Sequence, residues 1–422
     1  MHVMVPFRPF CLLSQLRCAR IPKIPSWRNS HHITNHCEPR QAMEEQMLPF
    51  YHKKHYYPVK IGETLENRYR IIAKLGYGAY STVWLTWDNT LNEYASVKIC
   101  VRHDVETSPV LNEVAMLQRL GKFAQEADHP GLDFTSLARD VFTMDGPAGP
   151  HYCIIKKPQG PSLRTLQENF PNAILPKFLL KSLIHRLWFS VNWLHATCGV
   201  IHTDISPQNI LTEIEDETSL KDIEEQESLD PSIPHINDGV PVYRSRSTML
   251  QLSGVPMLTD FGQMRLEQPG NRDWWMSDLY RAPEILLKLP WSFPVDVWSV
   301  GVMTLELMEG KNLFDPIDRA DNQYVLPLAL AQYVSYLGPP PLEMIKQSPL
   351  FSTYFDEQGN WVSEIPIPQT SLEEFVTTIP PGEEKDMFLR FIRKILTWDP
   401  EIRATSSEII QDEWLMRPVE TL

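Results

Sequence analysis

The chain has 422 residues, of which 43% are hydrophobic and 22% are charged, and its formal net charge is −14. This length allows two ordinary domains or one bilobal domain, and the hydrophobic share excludes a wholly disordered protein. No run of about 18 or more apolar residues occurs, so no membrane-spanning helix is expected. The acidic balance disfavours general nucleic-acid binding, which requires a basic face.

The six cysteines are scattered along the chain, and none forms a CxxC pair. In a chain of this length, such spacing indicates neither a disulfide framework nor a zinc site. Reduced thiols in a reducing compartment are therefore expected.

The N-terminal segment is basic. Residues 1–37 contain five Arg or Lys residues and no Asp or Glu. This composition fits a mitochondrial transit peptide or a disordered tail. The prolines at 6, 9, 22 and 25 would interrupt an amphipathic helix, so a disordered tail over 1–56 is favoured. We expect a cytoplasmic or nuclear protein, with mitochondrial targeting as the minority alternative.

A β-rich region follows the N-terminal tail. Alternating or continuous apolar residues separated by Gly or Asn predict strands at 68–76, 81–88, 93–100 and 151–157. Helical spacing of leucine and valine predicts a helix over 109–122. We therefore assign residues 57–160 to a small lobe with an antiparallel sheet and one helix.

The second half is mainly helical. Long helices are predicted at 175–198, 292–310 and 383–400, within a larger lobe spanning 161–418 and followed by a tail at 419–422. The fold class is therefore α+β and bilobal. Residues 211–250 interrupt this lobe, and their acidic, aromatic-poor composition predicts a solvated insertion.

The small lobe contains residues suited to phosphate binding. Gly76 and Gly78 lie between two predicted strands and would let the backbone approach a phosphate chain, although Ser81 replaces a third glycine. Lys98 lies inside an apolar strand, and Glu113 follows on the predicted helix. An edge lysine with its charge in solvent is the simpler interpretation of Lys98 alone, but a Lys–Glu pair above phosphates is also a known arrangement.

The larger lobe contains candidate metal ligands and a candidate base. In "HTDISPQN" (202–209), Asp204 can accept a proton from a hydroxyl and Asn209 can bind Mg²⁺ through its side-chain oxygen. Asp260, in "LTDFGQ", follows a short apolar run and precedes a glycine. Oxygen ligands of this kind suit Mg²⁺.

Two further motifs, "YRAPEILL" (280–287) and "VDVWSVGV" (295–302), follow in order. Each of these motifs is weak alone, but the ordered set resembles a eukaryotic protein kinase over residues 57–418. It is similar in particular to the SR-protein kinases of the CMGC group, including the divergent SRPK-like proteins of filamentous fungi. "HTD" in place of the commoner His-Arg-Asp and the insertion at 211–250 are both marks of that family.

The resemblance implies a role for each candidate residue. It implies an ATP-dependent, magnesium-assisted protein kinase with these site residues: Gly76, Gly78, Ser81 and Val83 over ATP, Ala95 on the adenine, Lys98 on the phosphates and oriented by Glu113, Asp204 on the substrate hydroxyl, and Asn209 and Asp260 on Mg²⁺. It also implies four structural residues: Ser277 as the link between the substrate and catalytic loops, Glu284 and Arg403 as a buried ion pair, and Asp296 beneath the catalytic loop.

The chain departs from the commoner kinase pattern at several positions. Thr203, in keeping with the family pattern, stands where other kinases have an arginine that reads an activation-loop phosphate, which predicts activity without that phosphorylation. Ser206 replaces a lysine aimed at the transferred phosphate, and losing one such charge can cost about 10²–10³ in rate. Lys156 occupies the usually apolar gatekeeper position and Lys157 starts the hinge, which affects ATP affinity more than the fold.

Three functions remain open from the sequence. The first is an active Ser/Thr kinase, slowed by Ser206, that acts as a monomer on Arg/Ser-rich proteins, as the family does. The second is a pseudokinase scaffold, suggested by Ser206 and Lys156, and the third is a small-molecule kinase, disfavoured by "YRAPE". "VYRSRS" (242–247) resembles such a substrate and can occupy the chain's own groove, although a disordered loop is favoured.

Overall fold

The structure is a computed structural model. It describes residues 42–49, 51, 55–102, 108–126, 128–237, 240–246 and 253–418, all within the compact unit Ala42–Leu422.

The small lobe is a six-stranded antiparallel sheet with one long helix. The strand order is β1-β2-β3-β4-β6-β5. The strands are β1 Thr64–Leu65, β2 Tyr69–Gly78, β3 Ser81–Asp88, β4 Glu93–Cys100, β5 Asp140–Gly146 and β6 Gly149–Lys156, and helix α1 spans Pro109–Glu126 between β4 and β5. The predicted strands and helix are thus present.

The larger lobe is mainly helical. Its elements are, in chain order, β7 Gln159–Ser162, α2 Leu163–Glu168, α3 Lys177–Asn192 with a π-helical turn Trp193–Cys198, β8 Val200–Ile201, β9 Ile210–Glu213, α4 Thr218–Leu229, β10 His235–Asn237, β11 Val240–Val242, β12 Pro256–Leu258, β13 Arg265–Leu266, α5 Pro283–Leu286, α6 Pro294–Glu309, β14 Ile317–Asp318, β15 Gln323–Tyr324, α7 Leu326–Leu337, α8 Leu342–Ile345, α9 Phe351–Tyr354, α10 Leu372–Phe375, α11 Glu383–Ile395, α12 Ser406–Ile410 and α13 Glu413–Met416. A sheet lobe and a helical lobe confirm the predicted α+β class. Along the ranges that the structure describes, none of the helices is both long and apolar enough to cross a membrane.

The centre of the larger lobe is helix α6, which is buried from Val295 to Glu309. A Cβ at Gly301 would lie 2.4 Å from Ile395 Cγ2 of α11, so only glycine permits this close helix approach. Helix α6 ends at Glu309 and is capped by Gly310. The φ of Gly310 is +68°, a left-handed conformation that glycine adopts without steric cost. The tight packing fixes the N-terminal end of α6, which lies beneath the functional site.

The described part of the acidic insertion, residues 211–237 and 240–246, packs on the small lobe, contrary to the prediction of a solvated segment at 211–250. Helix α4 buries Leu220 and Ile223 in one hydrophobic cluster with residues of β2, β3 and β4. Glu224 accepts hydrogen bonds from Arg70 at 2.8 Å and from the Tyr94 hydroxyl at 2.6 Å. The prediction was wrong because average composition hides the three-residue spacing that places Leu220 and Ile223 on one helix face.

The RS-containing part of the insertion also packs on the small lobe. Tyr243 joins the core of the sheet, and the Arg246 N–H donates to the Lys74 carbonyl at 2.8 Å. The favoured prediction of a disordered loop at 242–247 is therefore wrong for its described part, residues 242–246. The predicted transit or tail segment at 1–37 and the tail at 419–422 lie outside the described residues.

Ordered structure begins earlier than the predicted boundary at 57. The 3₁₀ turn Glu44–Met47 packs on the small lobe, where Glu45 pairs with the fully buried Lys74 amine. Glu44 lies 3.4 Å from the same amine and accepts a 2.7 Å hydrogen bond from the Ser245 hydroxyl. A buried lysine needs a carboxylate partner, and here that partner comes from a segment of the chain assigned to the basic tail.

Replacing Ile223 by alanine tests whether the insertion is packed in solution. Ile223 is 2% exposed, so Ile223→Ala should lower the free energy of unfolding by about 2–4 kcal/mol. The matched control is Ile233→Ala, because Ile233 belongs to the same insertion but is 87% exposed, and its loss should change stability by less than about 0.5 kcal/mol. Thermal melting of both variants measures the difference. Equal melting temperatures would mean that the insertion is solvated.

Candidate functional site

The two lobes enclose a cleft of about 660 Å³. Leu75 and Val83 of the small lobe form its upper wall, and Leu211 of β9 contributes from the larger lobe. Lys98, Asn209 and Asp260, which are far apart in sequence, line the same cleft. The residues that the sequence singled out for phosphate and metal binding therefore share one cavity.

The glycine-containing turn between β2 and β3 covers this cleft. Gly76, Gly78, Ser81 and Val83 all line it, because β2 and β3 pair through Gly76–Val83 and Gly78–Ser81. The space beside Gly76 is open, since no atom lies within 4 Å of a Cβ built there. A small residue at this position leaves room for a ligand's phosphates below the turn.

The prediction that Ala95 faces the cleft is wrong. Ala95 packs in the sheet core together with Val97 and Ile99, on the face opposite to Lys98. Ser96 lines the cleft instead. Side chains alternate along a strand, so the residue two positions before Lys98 shares its face and the residue three positions before does not. This alternation was readable from the sequence and identifies Ser96.

A charge cluster lies at the inner end of the cleft. The Lys98 amine donates to both Glu113 oxygens, at 2.8 and 2.7 Å. Burial by itself lowers the pKa of Lys98, but the Glu113 and Asp260 carboxylates outweigh it and raise the pKa overall. The Lys98 charge in turn lowers the pKa of Asp260. The amine is therefore cationic and Asp260 is ionised at neutral pH.

The loop 202–209 is held from below by Asp296. This carboxylate is fully buried and accepts hydrogen bonds at 2.7 Å from the backbone N–H groups of His202 and Thr203. It also lies 2.8 Å from His195 Nε2. Thr203 has a φ of +67°, a strained conformation for a β-branched residue, and the Asp296 bonds help to hold it there. Asp296 occupies the place that the sequence predicted.

Asp204 and Asn209 are brought together by this loop. The Asn209 amide nitrogen donates to the carbonyl and to Oδ2 of Asp204, both at 2.8 Å. Burial raises the pKa of Asp204, and the nearby Asp260 charge adds to this, while His202 and hydrogen bonds from Asn209 and Ser277 act against it. A raised pKa moves this carboxylate towards the range useful for a general base. Ser277 thus reaches Asp204 as predicted.

Asn209 and Asp260 fit a Mg²⁺ ion. The Asn209 nitrogen is used by Asp204, so its side-chain oxygen is the atom left for a cation. Asp260 supplies an ionised carboxylate in the same cleft. Among the residues whose positions are described, no three His, Cys, Asp or Glu side chains cluster as metal ligands. Two protein ligands suit Mg²⁺, which completes its shell with water and ligand phosphates.

Thr203 connects the loop to the following segment, 260–284. Its hydroxyl donates to the Gln263 carbonyl at 2.8 Å and accepts from the Trp275 indole N–H at 2.9 Å. The Arg265 guanidinium lies over the Trp275 ring, 3.7 Å from its centroid. Trp275 was not identified from the sequence, where no motif marks it. The two hydrogen bonds of the Thr203 hydroxyl join uncharged groups, at the position where other kinases have a phosphate-reading arginine.

Lys156 and Lys157 differ in their surroundings. Lys157 is half exposed and pairs with Glu213 at 2.6 Å. Lys156 is buried and lines the cleft, and its amine contacts the Thr259 hydroxyl at 3.3 Å and lies 5.2 Å from the centroid of the Phe261 ring. The cation at this position therefore lies inside the cleft.

Glu284 and Arg403 form the predicted buried ion pair. Two parallel hydrogen bonds of 2.8 and 2.9 Å join them, and both side chains are fully buried. Arg403 also donates to the carbonyls of Pro294 and Thr397, so the pair ties the start of α6 to the segment after α11. The pair braces the larger lobe and takes no part in the cleft.

Comparisons with known proteins agree with this geometry. A model described as the protein kinase domain matches residues 69–415. A serine/threonine protein kinase of Aspergillus fumigatus is 34% identical over 382 residues, which is 89% of this chain and 91% of the relative. The serine/threonine-protein kinase SRPK of Physarum polycephalum is 27% identical over 88% of this chain and 91% of its own. The serine/threonine-protein kinase AFC2 of Arabidopsis thaliana is 26% identical over 86% and 81%.

Proposed function

The chain belongs to the protein kinase family and is a protein serine/threonine kinase related to the SRPK-like CMGC kinases, and we propose that it transfers the γ-phosphate of ATP to serine in Arg/Ser-rich proteins. The observation that carries this proposal is the meeting of Lys98, Asn209 and Asp260 in one cleft, with Asp204 hydrogen-bonded to Asn209. These side chains supply a phosphate cation, two metal ligands and a base.

Each residue has a defined task in this proposal. Mg²⁺ held by Asn209 and Asp260 would neutralise charge on the phosphates. Lys98, fixed by Glu113, holds the α- and β-phosphates through an amine whose raised pKa keeps it charged at neutral pH. Asp204 orients the substrate hydroxyl and accepts its proton, and the Ser277 hydroxyl helps to position that carboxylate.

The substrate class is supported by relationship and by local charge. The SRPK relative from Physarum polycephalum matches over most of both chains. In this chain, exposed Asp273 lies four residues before Ser277, which bonds to the base, whereas Asp278 is paired with Arg281 at 2.7 Å. A basic peptide that presents serine to Asp204 would meet the Asp273 carboxylate.

Activity without phosphorylation of the segment 260–284 is part of the proposal. Thr203 and Trp275 already hold this segment through uncharged hydrogen bonds. Tyr280 is 4% exposed and bonds to Glu306, so its hydroxyl is sequestered. A segment that is held in this way needs no phosphate to order it.

Asp204→Asn tests the proposed reaction. With Mg²⁺, labelled ATP and an Arg-Ser repeat peptide, the wild type should phosphorylate serine, and Asp204→Asn should reduce the rate by about 10²–10⁴-fold because the base is lost. Asp133→Asn, at an exposed aspartate outside the cleft, is the matched control and should retain the wild-type rate. Wild-type protein treated with a phosphatase beforehand should be equally active.

The other outcomes separate the competing functions. Binding of Mg–ATP without transfer to any peptide or small hydroxyl compound would favour the scaffold. Transfer to small hydroxyl compounds alone would indicate a small-molecule kinase. Loss of all activity after phosphatase treatment would refute independence from phosphorylation, while leaving the reaction itself established.

Ser206→Lys tests whether the missing lysine slows the enzyme. Ser206 lies in the loop two residues after Asp204, and its hydroxyl cannot replace a cation aimed at the transferred phosphate. The variant should raise kcat by about 10²-fold with little change in the Kd for Mg–ATP. Ser206→Ala serves as the control and should match the wild type. An unchanged kcat in the lysine variant would show that Ser206 does not limit the rate.

A further inference from the structure

The RS-containing part of the insertion is bonded to the N-terminal turn Glu44–Met47. The Ser245 hydroxyl donates to Glu44 Oε2 at 2.7 Å, and the Ser245 backbone N–H donates to Glu44 Oε1 at 3.2 Å. The same carboxylate lies 3.4 Å from the buried Lys74 amine. Glu44 thus connects the N-terminal turn, the small-lobe sheet and the insertion, which are far apart in sequence.

The N-terminal turn depends on these side-chain contacts. Glu44 has a φ of +55°, a conformation that residues other than glycine adopt at a cost. The turn itself has few backbone hydrogen bonds, among them those from the Gln46 N–H to the Met43 carbonyl and from the Leu48 N–H to the Glu45 carbonyl, both 3.0 Å. A single strained turn is not stable alone. Its position is therefore set by what Glu44 and Glu45 contact.

Ser245 has the sequence surroundings of a substrate. It lies between Arg244 and Arg246, in a segment without regular secondary structure. This step rests on the proposed function, in which serine in Arg/Ser-rich sequences accepts the phosphate. In the observed packing the Ser245 hydroxyl bonds to Glu44 and not to Asp204, so we write the reaction between two copies of the chain. The half-buried hydroxyl must leave Glu44 before it can enter the cleft of another copy.

We propose that Ser245 is phosphorylated by a second copy of this kinase and that the phosphate releases the N-terminal turn from the small lobe. In this step Ser245 Oγ bonds to the γ-phosphorus of ATP, and the bond from that phosphorus to the β,γ-bridging oxygen breaks. The hydroxyl proton passes to Asp204 of the second copy, and ADP leaves. A phosphoserine carries a charge of about −1.5 to −2 at pH 7, so repulsion from Glu44 replaces the donated hydrogen bond.

The nearby cations do not offset this repulsion. The Lys74 amine is fully buried and already pairs with Glu45. The Arg246 guanidinium is bound to Glu227. Arg244 is exposed, and an ion pair in water is worth little. The phosphate therefore finds no strong counter-charge in the docked position, and phosphorylation shifts the population towards the released turn.

Transfer between copies tests the modification. Wild type, Mg²⁺ and ATP are incubated with an excess of tagged Asp204→Asn, and the tagged copy is analysed by mass spectrometry. We expect phosphate on Ser245 of the tagged copy, and a tagged copy that also carries Ser245→Ala confirms the position. An unmodified Ser245 beside a phosphorylated Arg-Ser repeat peptide would overturn this inference only. Transfer to neither would overturn the proposed function as well.

Hydrogen exchange tests the release of the turn. In the phosphorylated tagged copy, the Gln46 and Leu48 amides should exchange roughly tenfold faster than before phosphorylation, because both bonds to Glu44 are lost. Ser245→Ala loses the hydroxyl bond alone and should give a smaller increase. Glu44→Gln removes the repelling charge, so phosphorylation of this variant should change exchange by less than about threefold. Equal exchange with and without the phosphate, with Glu44 in place, would overturn the proposed release.

Discussion

The partly buried Lys98 amine determines the charge balance on which the site depends. Glu113 fixes its position, and its charge keeps Asp260 ionised inside a cleft where burial alone would favour the neutral acid. An ionised Asp260 can bind Mg²⁺, and a fixed Lys98 can bind phosphate. If either Lys98 or its carboxylate partners were removed, the cleft would contain an uncompensated charge, which costs several kcal/mol in a protein interior. The lobes therefore meet around this cluster, and the backbone supports beneath it, above all Asp296, bring Asp204 and Asn209 to the same place.

Local patterns predicted the regular elements well, and long-range packing explains the errors. The strands Ser81–Asp88 and Glu93–Cys100 have the predicted bounds, because period-two apolar patterns are complete within each strand. The insertion was misjudged because its helix finds its apolar partners in a sheet more than a hundred residues earlier. The turn at Glu44–Met47 was missed for the same reason. It is held by the ion pair between Glu45 and Lys74, which are far apart in sequence, and no local sequence pattern indicates that pair.

The motifs and their order along the chain identified most of the site residues. They did not identify the residues that hold the site residues in place. Lys98, Asp204, Asn209 and Asp260 each belong to a recognisable short motif, whereas Trp275, which holds the loop through Thr203, belongs to none. The misplaced alanine at position 95 shows a different limit, because assigning a strand does not by itself assign its faces. Lys156 was noted as an anomaly in the sequence, and only the packing around it shows that it is a charge without a carboxylate partner among the described residues.

The most direct test of this account is calorimetric titration of ATP into the wild type and Asp260→Asn, each with Mg²⁺ and with EDTA. We predict that the wild type binds ATP much more tightly with Mg²⁺ and that Asp260→Asn loses most of this difference while keeping weak, metal-independent binding through Lys98. Equal ATP affinity of the wild type with Mg²⁺ and with EDTA, or an undiminished Mg²⁺ effect in the variant, would contradict the assignment of Asp260 and with it the assembled site.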